Sequence, residues 1–166
     1  MKHVIILAIA CIVVAGGCTT TETPESTAQK LTLNELTKAP GFTWFVAEMS
    51  RFTPNSQFLA PIESAFAAAP GKKICIFVKP TCSCRGTQRL FPQVVKTLLD
   101  ANVPESRIEI WSMITENDRQ PYESSFSIST LPAIYVMENG VVRDSISEAS
   151  FNERNADSLL ARAVTR

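Results

Sequence analysis

Two cysteines one residue apart, Cys82 and Cys84, lie in the run Lys79-Pro80-Thr81-Cys82-Ser83-Cys84-Arg85-Gly86-Thr87. Residues 74–78 before them are wholly apolar and read as a strand, and residues 85–99 after them carry a helical period. Such a junction sets a side chain among the unpaired N–H groups of a helix start, at the positive end of its dipole. A thiolate is favoured there, and the thiolate is the form that attacks disulfides and binds soft metals. Thiol exchange and metal binding are therefore the two chemistries this spacing offers.

The compartment bears on both. Lys2 and His3 precede an apolar stretch over residues 4–14, followed by Ala15-Gly16-Gly17 and then Cys18. This is the layout of a secretory signal peptide over residues 1–17, and the apolar stretch is shorter than the roughly 18 residues a spanning helix needs. The small-small-Cys ending resembles the lipobox of bacterial lipoproteins, which implies cleavage before Cys18 and a lipid on it. The alternative is an ordinary signal peptide cleaved nearby. Thr19 stands where enteric lipoproteins kept in the inner membrane have Asp, so the resemblance implies the outer membrane, facing the periplasm. Disulfides persist in such a compartment.

Loss of the leader leaves fifteen Lys and Arg against sixteen Asp and Glu, with no basic run, which sets nucleic acid aside as a partner. The sole histidine, His3, leaves too, and with it Cys/His dyads and His-containing zinc sites. Of the remaining thiols, Cys75 sits inside the apolar strand and reads as an inert core residue.

The elements that must position Cys82 and Cys84 follow from periodicity. Residues 18–30 are polar, rich in Thr and Glu, and read as a flexible tether behind the lipidated cysteine. Residues 31–71 read as a mostly helical extension, with Pro61 opening its second helix. The strand at 74–78 leads into the helix at 85–102, which contains Pro92 and should kink there. A strand at 107–113, a polar loop at 117–127, a strand at 131–137, an Asn139-Gly140 hairpin, a strand at 141–146 and a helix at 152–164 complete the chain. The expected fold is α/β, a mixed four-stranded sheet with helices on both faces.

That order, with thiols at the first strand-helix junction, resembles the thioredoxin superfamily over residues 72–166, and the domain at 31–166 is expected to be thioredoxin-like. The resemblance rests on the thiols, on Thr130-Leu131-Pro132 before the later strand, and on the hairpin. It implies that Pro132 is cis and lies beside the cysteines, and that Leu131 offers its backbone to a substrate strand. The family separates its two cysteines by two residues, whereas one residue separates them here, so two registers are open. Its helix proline stands eight residues after the attacking cysteine. Pro92 fits that count from Cys84, and Gln88-Arg89-Leu90-Phe91-Pro92 resembles the Gln-Arg-x-x-Pro that follows Trp-Cys-x-x-Ser in some relatives. In this register Cys84 attacks, Thr87 takes the resolving position and Cys82 lies in the approach loop. Arg85 and Arg89 flank Cys84 and favour its thiolate. The family's buried proton-relaying acid falls at Val78, or at Ile76 in the other register, so rapid general reduction is disfavoured.

Three functions fit. The first is a membrane-tethered thiol-disulfide oxidoreductase of the cell envelope, acting on protein thiols or disulfides through Cys84 and Cys82 with no bound cofactor. The second is a Cu(I) metallochaperone using Cys82 and Cys84, with Met113 or Met137 as further ligands. The third is a non-catalytic thioredoxin-fold adaptor with a structural disulfide. A loop that short constrains few unfolded conformations, which disfavours the third.

Overall fold

The computed structural model describes residues 26–166. The expected signal peptide, Cys18 and the first part of the tether lie outside the described residues. Five strands form one mixed sheet: β1 (Gln29–Leu31), β2 (Lys72–Val78), β3 (Ile108–Ser112), β4 (Ala133–Glu138) and β5 (Val141–Ile146), in the order β1-β3-β2-β4-β5. β2 and β3 are parallel, with Ile76 opposite Ile110; β4 runs antiparallel to β2, with Ile76 opposite Ile134; β5 runs antiparallel to β4. Asn139 and Gly140 both have positive φ, 53° and 83°, the conformation a two-residue hairpin turn requires.

The fifth strand corrects two expectations. β1 adds to β3 in antiparallel fashion, so the sheet has five strands, and residues 27–30 belong to the fold rather than to a tether. Ala28 and Leu31 are buried on opposite sides, which gives so short and polar a segment its anchorage.

The helices are α1 (Leu33–Leu36), α2 (Phe45–Ser50), α3 (Ser56–Ala68), α4 (Phe91–Asp100) and α5 (Ala156–Val164). A capping box opens α1: Thr32 Oγ1 accepts the Glu35 N–H at 3.2 Å, and Glu35 Oε2 accepts the Thr32 N–H at 2.8 Å. Asn55 Oδ1 accepts the Gln57 N–H at 3.1 Å and starts α3 early. Pro61 therefore lies inside α3 instead of opening it. Pro92 is the second residue of α4, behind a π-turn over Gly86–Leu90 in which the Phe91 N–H reaches back to the Gly86 carbonyl. The wide turn falls where proline withholds an N–H, so Pro92 joins two helical forms rather than interrupting one α-helix.

Helices cover one face of the sheet, not both. Ile74, Ile76 and Val78 of β2 point into a core built with Leu36, Phe45, Ile62, Phe91 and Leu160 from the five helices. Cys75 and Phe77 point the other way, into a layer made by Met113, Ile128 and Met137 with Tyr122, Phe126 and Tyr135. No helix among the described residues contributes to this second layer; the segment at 113–132 covers it. Phe77 stands edge-on to Tyr122, Phe126 and Tyr135 at ring distances of 6.4, 6.0 and 6.1 Å. Asp118 ties down the start of that segment, accepting the Ile114 and Thr115 N–H groups at 2.7 and 3.2 Å. Aromatic side chains thus do the covering that a helix was expected to do.

Candidate functional site

β2 ends at Val78 and the chain leaves the sheet through residues 79–81, where the N-terminal region braces it. A Cβ on Gly41 would stand 2.5 Å from the Cβ of Pro80, so only glycine allows this approach. The Gly41 carbonyl accepts the Thr81 N–H at 3.1 Å. Thr81 has φ +60°, a left-handed conformation that a β-branched residue rarely adopts and that costs on the order of 1–3 kcal/mol. The contacts from residue 41 hold it there.

Cys82 and Cys84 follow, joined in a disulfide with Cα atoms 5.4 Å apart. Both are half-buried and Ser83 between them is exposed. The Cys84 carbonyl accepts the first helical hydrogen bond, from the Gln88 N–H at 3.0 Å, which makes Cys84 the N-cap. The Cys84 N–H itself points to the Cys82 sulfur at 3.2 Å. This backbone donor serves Cys82.

The facing wall comes from β4 and the segment after β5. A Cβ on Gly86 would stand 2.7 and 2.8 Å from Cγ and Cδ of Pro132 and would also strike Glu148 Oε2. The bare glycine is what lets both residues close on the first turn of the helix. The Leu131–Pro132 peptide is cis. Leu131 and Pro132 line a groove of about 560 Å³ that runs between the start of β4 and residues 145–149, with Arg85 and Glu148 in its walls.

The other sequence-selected residues are placed as follows. Arg85 Nε lies 3.7 Å from Glu148 Oε1, and Arg89 Nη1 lies 3.3 Å from Glu48 Oε2. Each guanidinium thus has a counter-charge, which reduces the positive field either can project onto a sulfur. Glu48 also holds Arg51 at 2.5 Å, so α2 is clamped to the helix start. Thr87 is fully buried one turn beyond Cys84, and its hydroxyl finds no hydrogen-bond partner among the described residues. Gly41, Gly86 and Glu148 were not singled out from the sequence, because each acts through a contact made across the fold.

Cys75 occupies a different environment. It is opposite Glu109 in the β2/β3 register, and its thiol lies 3.6 Å from Glu109 Oε2. Glu109 accepts from Tyr122 Oη at 2.5 Å and from Lys73 Nζ at 3.2 Å, and pairs with Lys30 at 3.4 Å. Burial would raise the Glu109 carboxyl, but the hydrogen bonds from Tyr122 and Lys73 and the two lysine charges hold it at about 2. Burial, and then the Glu109 charge, push the Cys75 thiol up to about 12. Burial and the bond to Glu109 push the Tyr122 hydroxyl up as well.

Met113 and Met137 are fully buried in the layer with Cys75. Among the described residues no group of three or more His, Cys, Asp or Glu side chains could hold a metal ion, and no helix is long and apolar enough to cross a membrane. The chain matches no protein-family model, no curated protein and no solved structure, so the geometry of the Cys82–Cys84 disulfide, Gly86, Pro132 and the adjoining groove is what the functional reading rests on.

Proposed function

We propose that the chain is a thioredoxin-like thiol-disulfide oxidoreductase of the cell envelope, held at the membrane through a lipid on Cys18 and acting on protein thiols or disulfides. The observation that carries this is the half-buried Cys82–Cys84 disulfide at a helix start, followed directly by Arg85, which lines an open groove walled by Leu131 and Pro132. Support for a thioredoxin-like fold comes from the order β3-β2-β4-β5, with one parallel and two antiparallel pairings.

In the oxidised protein a client thiolate attacks Cys84 Sγ. The Cys82–Cys84 bond breaks and its electron pair leaves on Cys82, the sulfur that accepts the Cys84 N–H. A leaving thiolate stabilised by a hydrogen bond departs faster. A second client thiolate attacks the client sulfur of the mixed disulfide and releases Cys84. The client has lost two electrons and two protons, and the Cys82–Cys84 pair has gained both as two thiols. Run backwards, the same steps reduce a client disulfide. Val78 stands where the thioredoxin resemblance would put a proton-relaying acid, so protons exchange through the exposed side.

Trapping in cell-envelope extracts tests the proposal. Cys82→Ser is expected to accumulate mixed disulfides through Cys84, visible on non-reducing gels, and Cys84→Ser is not. The absence of any trapped client in Cys82→Ser, with a wild-type phenotype, ends the reading.

A further inference from the structure

We infer that Arg85 is a specificity-determining residue, selecting client segments that carry a carboxylate side chain next to the reacting cysteine. The inference rests on the oxidoreductase reading and deepens it.

Among the described lining residues of the groove, only Arg85 and Glu148 are charged; the rest are hydroxyl-bearing or apolar, among them Thr130, Ser145 and Ser147. The two charges face each other, but loosely. Arg85 Nε is 3.7 Å from Glu148 Oε1, and Arg85 Nη2 reaches the Glu148 carbonyl at 3.4 Å. A guanidinium carries five N–H donors in a planar fork that suits a carboxylate bound through both oxygens. Here that fork is engaged at long range and at one edge. The Arg85 side chain is 45% exposed and directly follows Cys84, so a residue flanking a client cysteine passes within its reach.

An acidic client is favoured over a basic one because the two partners are anchored unequally. The Arg85 guanidinium rests over the Phe151 ring at 5.8 Å, which fixes its plane while leaving its edge free. The Glu148 carboxylate has no hydrogen-bond or ionic partner but Arg85 among the described residues. A client carboxylate can therefore displace Glu148 toward solvent, whereas a client lysine would meet a guanidinium that its ring keeps in the groove. Glu148 acts as a resident competitor that keeps the groove neutral until such a client arrives.

The test uses the oxidised full chain and dithiol peptides that differ only in Glu, Gln or Lys beside the first cysteine. Single-turnover rates are normalised to each peptide's rate with a small neutral disulfide, which removes intrinsic differences in thiol reactivity. The Glu peptide should react about fivefold faster than the Gln peptide, as expected for a screened ion pair, and the ratio should fall toward one at high salt. Arg85→Gln should abolish the ratio, and Glu148→Gln should enlarge it. Equal rates for the three peptides overturn the inference while leaving the oxidoreductase reading standing. Preference for the Lys peptide overturns it in favour of Glu148 as the selecting group. No reaction with any peptide removes the reading itself, and the inference with it.

Discussion

Cys75 sits midway along β2, under Tyr122 and opposite Glu109, whereas the Cys82–Cys84 pair lies just past the end of the same strand. Six residues separate the first thiol from the second. Around Cys75 a carboxylate, a phenol and two ammonium groups close a network that reaches β1, β2 and β3. Around Cys82 and Cys84 the contacts are few and partly exposed, with a backbone N–H on one sulfur and a bare glycine opening the way to Pro132. The difference shows that the residue type decides little. A buried thiol inside a sheet, next to a carboxylate charge, is held protonated; one carried past the strand end meets a helix-start donor and solvent.

The contrast is broken most readily by alkylation. After reduction at pH 8, iodoacetamide should label Cys82 and Cys84 within minutes. A thiol raised to about 12 has roughly 1,000-fold less thiolate than an ordinary one, so Cys75 should label at least that much more slowly until urea is added. Comparable native rates, read by peptide mass spectrometry, would erase the distinction.

A second prediction concerns the open end. Gly86→Ala inserts a methyl against the ring of Pro132 and the carboxylate of Glu148, and should cost about 1–3 kcal/mol in denaturant melts and slow disulfide exchange. A variant as stable and as fast as wild type would show that the wall at Pro132 yields freely.

The smallest effect belongs to the closed network. Glu109 is held below its ordinary 4.5 at about 2, so its contribution to stability is present above pH 4.5 and lost as pH falls toward 2. The contribution is about 1–2 kcal/mol once solvent screening is allowed for. Glu109→Gln should be less stable than wild type at pH 7, and the two should converge between pH 4.5 and 2. Parallel stability curves across that window would remove Glu109 as the keystone of the network.

Much of the frame was legible because it rests on local signals. The run at 74–78, the Asn139-Gly140 turn and the apolar face of α4 each declare themselves within a dozen residues. β1 did not, since three residues with one buried apolar side chain carry no period; only the open edge of β3 makes them a strand. Pro61 pointed to a helix start, but Asn55 had already provided one six residues earlier. The second face was misjudged because the cover at 113–132 is aromatic and irregular, and aromatic clusters have no sequence period. At the site, the spacing to Pro92 found the N-cap cysteine, but no sequence rule shows that its N–H turns back to Cys82. The pairing of Arg85 with Glu148 links residues 63 positions apart and is likewise invisible until the chain is folded.

The added strand also changes what the sheet presents to other chains. β3 would otherwise expose a row of unpaired N–H and C=O groups, an invitation to pair with a neighbour. β1 takes that side and becomes the border itself, its approach tied down where the Ala28 N–H meets the Arg119 carbonyl at 2.8 Å and the Arg119 N–H meets the Ser26 carbonyl at 2.9 Å. At the opposite border, β5, Arg143 and Asp144 and the register shift between Val136 and Met137 make flat stacking unfavourable. Residues that look like the end of a leash thus serve as a selvedge, a border shorter and more polar than the strand it covers.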